Sequence, residues 1–368
     1  MVEMSSKERV MLALQGKKPD RVPVILFPRY IATRYAGYKF GETIVDPEKY
    51  VNAQILAQRR FQYDSVHDYN MMGPVEEAMG VKLKYPEDDA PSVEVPLIKT
   101  RDDLAKIRKV DPYKDGLCPK VLWTIRQLKQ KVMEKGEPKV PVITWGSCPS
   151  RTAGILMGFT NWFMLTRKDP QMAVDLMEAC LKPWLNMVVA EVEAGADVVW
   201  VNDPVSSADC ISRDTYEKYT QPYEKKFILA IRERTGVPVI FHPCGNWHDR
   251  LDLVAANGAD AMFPGTMDLD LVIKKSKGVG NMKAIVGNVG AVTPCTTDGR
   301  NRAEAATTML LGKPEEIEAE AKRDIALGMA EMPGYILGSN CFPSPDTPTI
   351  STDTVVYAAR KYGVYPKA

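Results

Sequence analysis

Short, wholly apolar runs alternate with longer amphipathic stretches along most of the chain. Several runs are uninterrupted and rich in β-branched residues, such as the Val-Val-Trp-Val run at 198–201 and the Val-Pro-Val-Ile-Phe run at 237–241. Runs that are apolar on both faces are typical of parallel strands covered by helices. We predict eight such strands: Val22–Phe27, Ser65–Asp68, Val142–Trp145, Asp197–Asn202, Val237–His242, Asp260–Phe263, Lys283–Val289 and Tyr335–Gly338.

The stretches between these runs carry helix signals. Ser5 and Glu8 have the spacing of a capping box. The pair Asp169-Pro170 opens a long helix that we expect to end at Gly195. Further helices are predicted to follow Ser212 and Lys313. Strands that alternate with helices predict an α/β fold, and eight of them predict a single (β/α)₈ TIM barrel.

The same pattern sets the domain organisation. Residues 83–100 contain three prolines and little helical period, so we expect them to run over the surface. No internal repeat or low-complexity tract interrupts the alternation. We predict one barrel domain over residues 1–368, of which residues 1–20 form an N-terminal helical extension.

Composition narrows the class of protein. The 368 residues are 45% hydrophobic and 26% charged, with a net charge of +1, which is ordinary for a soluble globular protein. Balanced charge gives no electrostatic reason to expect nucleic acid or a membrane surface as a partner. No run is long enough for a transmembrane helix, and the N-terminus is too polar for a signal peptide. We expect a cytoplasmic protein. The sequence leaves open whether it forms a homodimer.

Cysteine and histidine residues suggest a metal site. The seven cysteines are an odd number in a long chain, so we expect reduced thiols. His242 and Cys244 end the fifth predicted strand on the same side of it, and Cys341 follows the eighth. One imidazole and two thiolates suit Zn²⁺, with a fourth position left open for catalysis. The alternative is that both cysteines are small buried apolar residues and His242 is a hydrogen-bonded core residue.

Other polar and aromatic residues lie at strand ends, where a barrel places its active site. Each of these residues could instead be a loop cap or a solvated side chain with no part in the chemistry. We take Tyr30, Trp145, Asn202 and Asn288 as candidates for substrate binding. Candidates for proton transfer are Asp203, His67 and Glu77, with Glu76 beside it, whereas His248 is expected to be a surface residue in the first turn of a helix.

Nearly the whole chain resembles the uroporphyrinogen decarboxylase superfamily, which implies a (β/α)₈ barrel. The matching segments include 7–10, 18–24, 193–197, 287–289, 311–316, 334–337 and 357–363. The decarboxylases of this superfamily bind porphyrinogen carboxylates through an arginine-rich N-terminal segment. Here that region reads Phe-Pro-Arg-Tyr-Ile-Ala-Thr-Arg-Tyr at 27–35, so Arg29 and Arg34 are present but the pattern is not.

The resemblance implies methyl transfer instead. A second branch of the superfamily comprises corrinoid-dependent methyltransferases with zinc bound by His-x-Cys and a distant Cys, a pattern on which His242, Cys244 and Cys341 fall. The Asp-x-His-x-x-Gly segment of a corrinoid-binding domain is not found in the chain, so the corrinoid should arrive on a separate protein. The spacing from Cys244 to Cys341 is longer than the resemblance to the coenzyme M branch implies, and the extra residues fall at Val292–Thr308.

Two directions of transfer fit this site. Zinc can hold a thiolate that attacks methyl-cobalt, or it can polarise a methyl ether while reduced cobalt takes the methyl group. We favour demethylation of a methoxylated aromatic, because the insertion lies on the pocket side and aromatic and Met residues cluster near the mouth. The alternatives are a methylcorrinoid:thiol (coenzyme M) methyltransferase, a metal-free uroporphyrinogen decarboxylase and a barrel that only binds a corrinoid protein. The clustered residues are Phe27, Tyr30, Tyr35, Met71, Met72, Trp145 and Phe342, and each could instead be part of the core.

Overall fold

Every predicted apolar run contains a strand in the structure. The computed structural model describes residues 3–68, 73–88, 90–136, 139–290 and 307–366, so Met71, Met72 and most of the 292–308 insertion lie outside the described residues. The strands are β1 Val24–Ile25, β2 Val66–His67, β3 Lys82–Lys84, β4 Ser92–Val95, β5 Val142–Ser147, β6 Val198–Asp203, β7 Val239–Pro243, β8 Ala261–Met262, β9 Ala284–Ile285 and β10 Leu337–Gly338.

Eight of these strands are parallel and follow one another around a barrel. β2, β5, β6, β7, β8 and β9 form one sheet in that order, and β1 pairs with β10. Parallel bridges from Val286 to Ile336 and from Val289 to Ser339 join β9 to β10. The amide of Asp64, just before β2, donates to the carbonyl of Val24 in β1 (2.7 Å). The architecture is the predicted α/β barrel of eight parallel strands.

Helices cover the strands and begin and end where the sequence signals indicate. Ser5 and Glu8 form the predicted capping box. Asp169 caps the longest helix, which ends at Ala194 before Gly195. The helices are Ser6–Leu14, Arg29–Tyr35, Phe40–Val45, Pro47–Phe61, Pro74–Ala78, Cys118–Met133, Pro149–Met157, Phe159–Lys168, Pro170–Ala194, Arg213–Thr215, Gln221–Thr235, Leu251–Ala255, Leu269–Ser276, Thr307–Leu311, Pro314–Glu331 and Thr349–Tyr362, with 3₁₀ turns Arg101–Lys106 and His248–Arg250 and a π-helical turn Tyr216–Thr220.

The 83–100 region is more ordered than the predicted irregular excursion. β3 and β4 pair there as an antiparallel hairpin. The strands of this hairpin are half-exposed or exposed, so their alternation gave only a weak strand signal. The hairpin lies outside the eight-stranded barrel sheet.

The first helix lies at the amino ends of the barrel strands. Lys7 binds Asp197, which directly precedes β6 (2.7 Å), and Arg9 binds Asp64, which precedes β2 (3.1 Å). These buried or half-buried ion pairs hold residues 6–14 at that end of the barrel. The strands terminate at the opposite end, which we call the carboxyl end of the barrel. Each helix in the described ranges is too short or too polar to cross a bilayer.

Candidate metal centre

The three predicted metal ligands meet at the carboxyl end of the barrel. His242 lies in β7, Cys244 follows it, and Cys341 follows β10. Their ligand atoms all lie within 4.8 Å of one another, with Nε2 of His242 3.9 Å from Sγ of Cys341. The residues we call the trio are His242, Cys244 and Cys341.

The imidazole of His242 is fixed by its neighbours. Its Nδ1 lies 2.8 Å from the carbonyl oxygen of Phe263. A carbonyl can only accept, so Nδ1 carries the proton and the lone pair of Nε2 faces the two sulfur atoms. The ring also stacks on Trp200, with centroids 5.1 Å apart. A backbone acceptor of this kind is what orients a metal-binding histidine.

The two thiols form a coupled pair. The pKa of Cys341 lies well below its usual value, because Cys341 accepts a hydrogen bond from the Cys244 thiol and faces His242. The pKa of Cys244 is correspondingly raised by that hydrogen bond and by burial. A thiolate, a thiol that can lose its proton and an imidazole lone pair are the donors of a soft divalent ion, so the trio fits zinc.

Contacts that the sequence did not reveal hold the loop that carries Cys244. The indole Nε1 of Trp247 donates to the carbonyl of Cys244 (3.0 Å). The amide of Asn246 donates to Asp209 (2.9 Å), and its carbonyl accepts from the amide of Ala208 (2.8 Å). The loop after β6 therefore braces the loop after β7.

Asn288 holds another segment beside the trio. Its side-chain amide donates to the carbonyls of Gly265 (2.9 Å) and Met267 (2.7 Å), and the residue is fully buried. Gly265 has a positive φ of 64°, and a Cβ there would lie 3.5 Å from the His242 ring. The contacts of Asn288 thus shape the segment that packs on His242. Its role in substrate binding stays a prediction.

The other three predicted substrate-binding residues line the barrel or its rim. Asn202 is the register partner of His242 on the neighbouring strand, so both side chains face inward. The indole Nε1 of Trp145 donates to Asn202 (3.1 Å). Tyr30 is half-buried near the rim, where its hydroxyl lies 2.6 Å from Arg29. Their roles in substrate binding stay predictions.

Asp203 points away from the trio. It follows the inward-facing Asn202, and successive strand residues alternate sides. Its carboxylate accepts hydrogen bonds from the hydroxyls of Ser150 and Ser206 (2.6 and 2.7 Å) and from the amides of Val205 and Ser206. Burial raises its pKa despite these bonds. The carboxylate therefore braces the turn after β6 and is not brought to the trio.

Asp203 also belongs to a second group of potential metal ligands. Cys148, Asp203 and Glu224 are all buried with ligand atoms within 4.8 Å. Glu224 already accepts from Tyr216 and Asn257. Because hydrogen bonds occupy both carboxylates, we assign no metal to this group.

His67 and Glu77 are not brought to the trio either. His67 lies inside the barrel, 2.8 Å from the hydroxyl of Ser65, and burial lowers its pKa to about 3. Glu77 accepts from the amide of Leu117 and lines a separate surface cleft with Lys82 and Arg108. Both residues lie apart from the trio, and their roles in proton transfer stay predictions.

The aromatic residues of the predicted mouth fall into two sets. Phe27 and Trp145 are buried in the core, with 2% and 4% of their surface exposed. Phe342 is half-buried and packs on Phe27 and Trp200, with centroids 5.6 and 5.4 Å away. Part of the aromatic cluster therefore belongs to the core and not to the mouth.

His248, predicted at the surface, is half-buried at the start of its helix, with Nδ1 2.8 Å from Asn246.

Fold and site together define an eight-stranded α/β barrel with one histidine and two cysteines gathered at its carboxyl end. The model of the uroporphyrinogen decarboxylase (URO-D) family matches residues 5–362. The chain belongs to the uroporphyrinogen decarboxylase family.

The relatives that this chain resembles are named for two different enzyme activities. The chain is 26% identical to methylcobamide:CoM methyltransferase MtbA of Methanosarcina mazei, over 98% of this chain and 99% of the relative. It is also 26% identical to uroporphyrinogen decarboxylase of Carboxydothermus hydrogenoformans, over 87% and 84% of the two chains. A solved methyltransferase from Methanosarcina mazei shares the fold, with a TM-score of 0.82, 23% identity and coverage of 98% and 99%.

Proposed function

We propose that this protein transfers a methyl group from the cobalt of a corrinoid, carried by a separate protein, to a small thiol. The observation that carries the proposal is the convergence of His242, Cys244 and Cys341 at the carboxyl end of the barrel. The resemblance to methylcobamide:CoM methyltransferases over 98% of the chain supports it. So does the geometry of His242, whose Nε2 is turned toward both sulfur atoms.

The chain supplies three donors of the kind that bind Zn²⁺. His242, Cys244 and Cys341 would hold the ion, which leaves one tetrahedral position for a substrate atom. Bound there, zinc would lower the pKa of a substrate thiol and keep it as a nucleophilic thiolate. Phe342 and Trp200 beside the trio would limit water at the sulfur. The corrinoid would have to approach from the carboxyl end, where the trio lies, since residues 6–14 lie at the amino end.

Transfer to a thiol is better supported than the demethylation favoured from the sequence. The relatives named as methyltransferases carry coenzyme M in their names. The aromatic cluster that favoured a flat methoxylated ligand is partly core, as the burial of Phe27 and Trp145 shows. The other residues invoked, in the 292–308 insertion, lie almost wholly outside the described ranges.

The test follows methyl transfer with zinc-loaded protein, a methylated corrinoid protein and a panel of thiols. We expect loss of the methyl-Co(III) spectrum with formation of one methyl thioether per cobalt, and no reaction after zinc removal. Methylation of Co(I) by methoxyaromatics without any thiol reaction would overturn the direction. Decarboxylation of uroporphyrinogen by the zinc-free protein would overturn the proposal as a whole.

A further inference from the structure

The residue just before Cys341 fastens the turn that carries this ligand. We call residues 339–342 the Cys341 turn. The backbone amide of Asn340 donates to the carbonyl of Val289 (3.0 Å), and its side-chain amide donates to the carbonyl of Gly290 (2.9 Å). Asn340 is buried, with 5% of its surface exposed. Two donors of one residue therefore bind two successive carbonyls after β9, and the Cys341 turn cannot slide along β9 without breaking both bonds.

Gly290, the acceptor for the side chain of Asn340, is itself held in place. Its amide donates to the carboxylate of Glu320 (3.0 Å), a side chain that is 10% exposed. The same carboxylate accepts a hydrogen bond from the side chain of Thr308. Gly290 and Thr308 flank residues 291–306, so Glu320 binds the chain on both sides of that stretch. Asn340 thus bonds to backbone that a helix residue already fixes.

A packing contact sets how closely the Cys341 turn approaches His242. A Cβ on Gly265 would lie 3.5 Å from Cε1 of His242 and 3.6 Å from the carbonyl oxygen of Asn340. Gly265 therefore packs against both of these residues. Packing resists a closer approach and the bonds of Asn340 resist separation. Together they account for the 3.9 Å between Nε2 of His242 and Sγ of Cys341.

Cys341 needs such support more than Cys244 does. Cys244 follows His242 by two residues, whereas Cys341 is 99 residues away and β8 and β9 lie between their strands. The hydroxyl of Ser339 donates to the carbonyl of Cys341 (2.7 Å), but this bond closes the turn on itself. The side-chain bond of Asn340 joins the turn to another strand, so it is the contact that can set the position of the sulfur.

We propose that Asn340 is a positioning residue that presets the sulfur of Cys341 against His242 before a metal ion binds, and that Glu320 acts through it. The inference rests on the proposed function, because it takes the trio to be the metal site. Without the side-chain bond of Asn340, binding of the ion must also order the Cys341 turn, so the affinity for the ion falls.

The test measures the affinity for Co²⁺ by competition with a chromophoric chelator at pH 8. Burial raises the pKa of Glu320 to about 7, so its carboxylate is ionised there. Asn340→Ala should lower the affinity about 10- to 100-fold, as when other supporting contacts of metal ligands are lost. The charge-transfer absorption from thiolate to cobalt, measured per bound ion, should fall as well, because Cys341 no longer ligates in every molecule.

Asn257→Ala is the matched control for loss of a buried asparagine. The side chain of Asn257 donates to Glu224 (2.8 Å) and accepts from the amide of Ala259 (2.9 Å), and it precedes β8 at the amino end of the barrel. We expect this variant to lower the melting temperature about as much as Asn340→Ala, but to change the Co²⁺ affinity less than about threefold, because its site is separate from the trio. Equal losses of affinity in the two variants, or an unchanged affinity in Asn340→Ala, would overturn the inference.

Two variants of Glu320 test the route through Gly290. Glu320→Gln keeps an acceptor oxygen for the amide of Gly290 and should keep the Co²⁺ affinity within about twofold, whereas Glu320→Ala should lower it about threefold to tenfold. Adding Glu320→Ala to Asn340→Ala should lower the affinity little further, because the bond that transmits the effect is already gone. Losses that multiply in the double variant would overturn the role given to Glu320.

Metal binding is measured without a methyl donor, so this inference and the proposed function fail separately. A Co²⁺ affinity that depends on Asn340, in a protein that methylates no thiol, would sustain the positioning role and sink the proposed reaction. Methyl transfer to a thiol, with the same Co²⁺ affinity in Asn340→Ala and the wild type, would do the reverse.

Discussion

Nδ1 of His242 lies 2.8 Å from the carbonyl oxygen of Phe263, and this contact decides which nitrogen can bind a metal. Because a proton occupies Nδ1, the lone pair belongs to Nε2, which lies 3.9 Å from Sγ of Cys341. The acceptor is a backbone carbonyl in the segment after β8, so the fold itself selects the tautomer. A metal site at the trio thus depends on the barrel as much as on its three ligands.

The first prediction concerns the ligand farthest away in sequence. Cys341→Ala removes one sulfur donor, so we expect loss of bound zinc and of methyl transfer with the fold retained, because the side chain is only partly buried. Zinc content is measured by mass spectrometry and the fold by circular dichroism. Cys210→Ala is the matched control, since Cys210 is also a half-buried free thiol but lies outside the trio. Full activity of a zinc-free Cys341→Ala protein would contradict the proposed role of the trio.

The second prediction concerns the brace of the metal loop. Asp209→Ala removes the acceptor for the amide of Asn246, two residues after Cys244. We expect zinc affinity to fall about tenfold, as when other supporting contacts of metal ligands are lost. Competition with a chromophoric chelator measures this affinity. Asp209→Asn keeps an acceptor oxygen and should recover most of it. Equal zinc affinities in Asp209→Ala and the wild type would show that the loop needs no such brace.

Part of this site follows from the sequence and part does not. Period-two alternation already places His242 and Cys244 on one side of their strand. The same alternation, applied to Asn202 and Asp203, would have shown that only one of the two can face the barrel interior. Cys341 is different. β8 and β9 lie between β7, which carries His242, and β10. Cys341 reaches His242 only because the loop after β10 leans inward. Its place after the eighth predicted strand suggested that it could join His242 and Cys244, and the resemblance added the matching ligand pattern.

Supporting contacts were beyond sequence analysis for a physical reason. The acceptor for His242 is the backbone carbonyl of Phe263, and any residue type supplies a carbonyl. The eight strands were predictable because both of their faces are apolar. Short polar loops carry no comparable pattern.

The third prediction tests whether Asp203 acts in proton transfer. Its carboxylate accepts from Ser150 and Ser206 and faces away from the trio, so Asp203→Asn should change kcat less than about threefold. Loss of a general acid or base would instead lower the rate roughly 10²–10⁴-fold. Steady-state methyl transfer, with zinc content measured on the same samples, distinguishes the two. A hundredfold loss with zinc retained would restore Asp203 as a proton-transfer residue.

The last prediction concerns a buried carboxyl at the end of β2. Burial raises the pKa of Asp68 from 3.8 to about 7, with one hydrogen bond from Thr144 opposing the shift. Because the folded protein holds this proton more tightly than the unfolded chain, the contribution to stability is present below pH 3.8 and is lost as the pH rises toward 7. Asp68→Asn cannot ionise, so it should gain stability relative to wild type between pH 5 and pH 8.

Over two pH units in that range, the gain of Asp68→Asn over the wild type in free energy of unfolding is about 2–3 kcal/mol at most, because each pH unit corresponds to about 1.4 kcal/mol. The neighbouring carboxyl of Glu191 shares the effect, since the pKa of Glu191 is also raised by burial and by Asp68. Urea unfolding at pH 5, 6, 7 and 8 measures the difference. Asp102→Asn, at an exposed position, is the matched control and should show no such trend. A stability difference for Asp68→Asn that stays constant with pH would mean that Asp68 is ionised in the folded protein throughout this range.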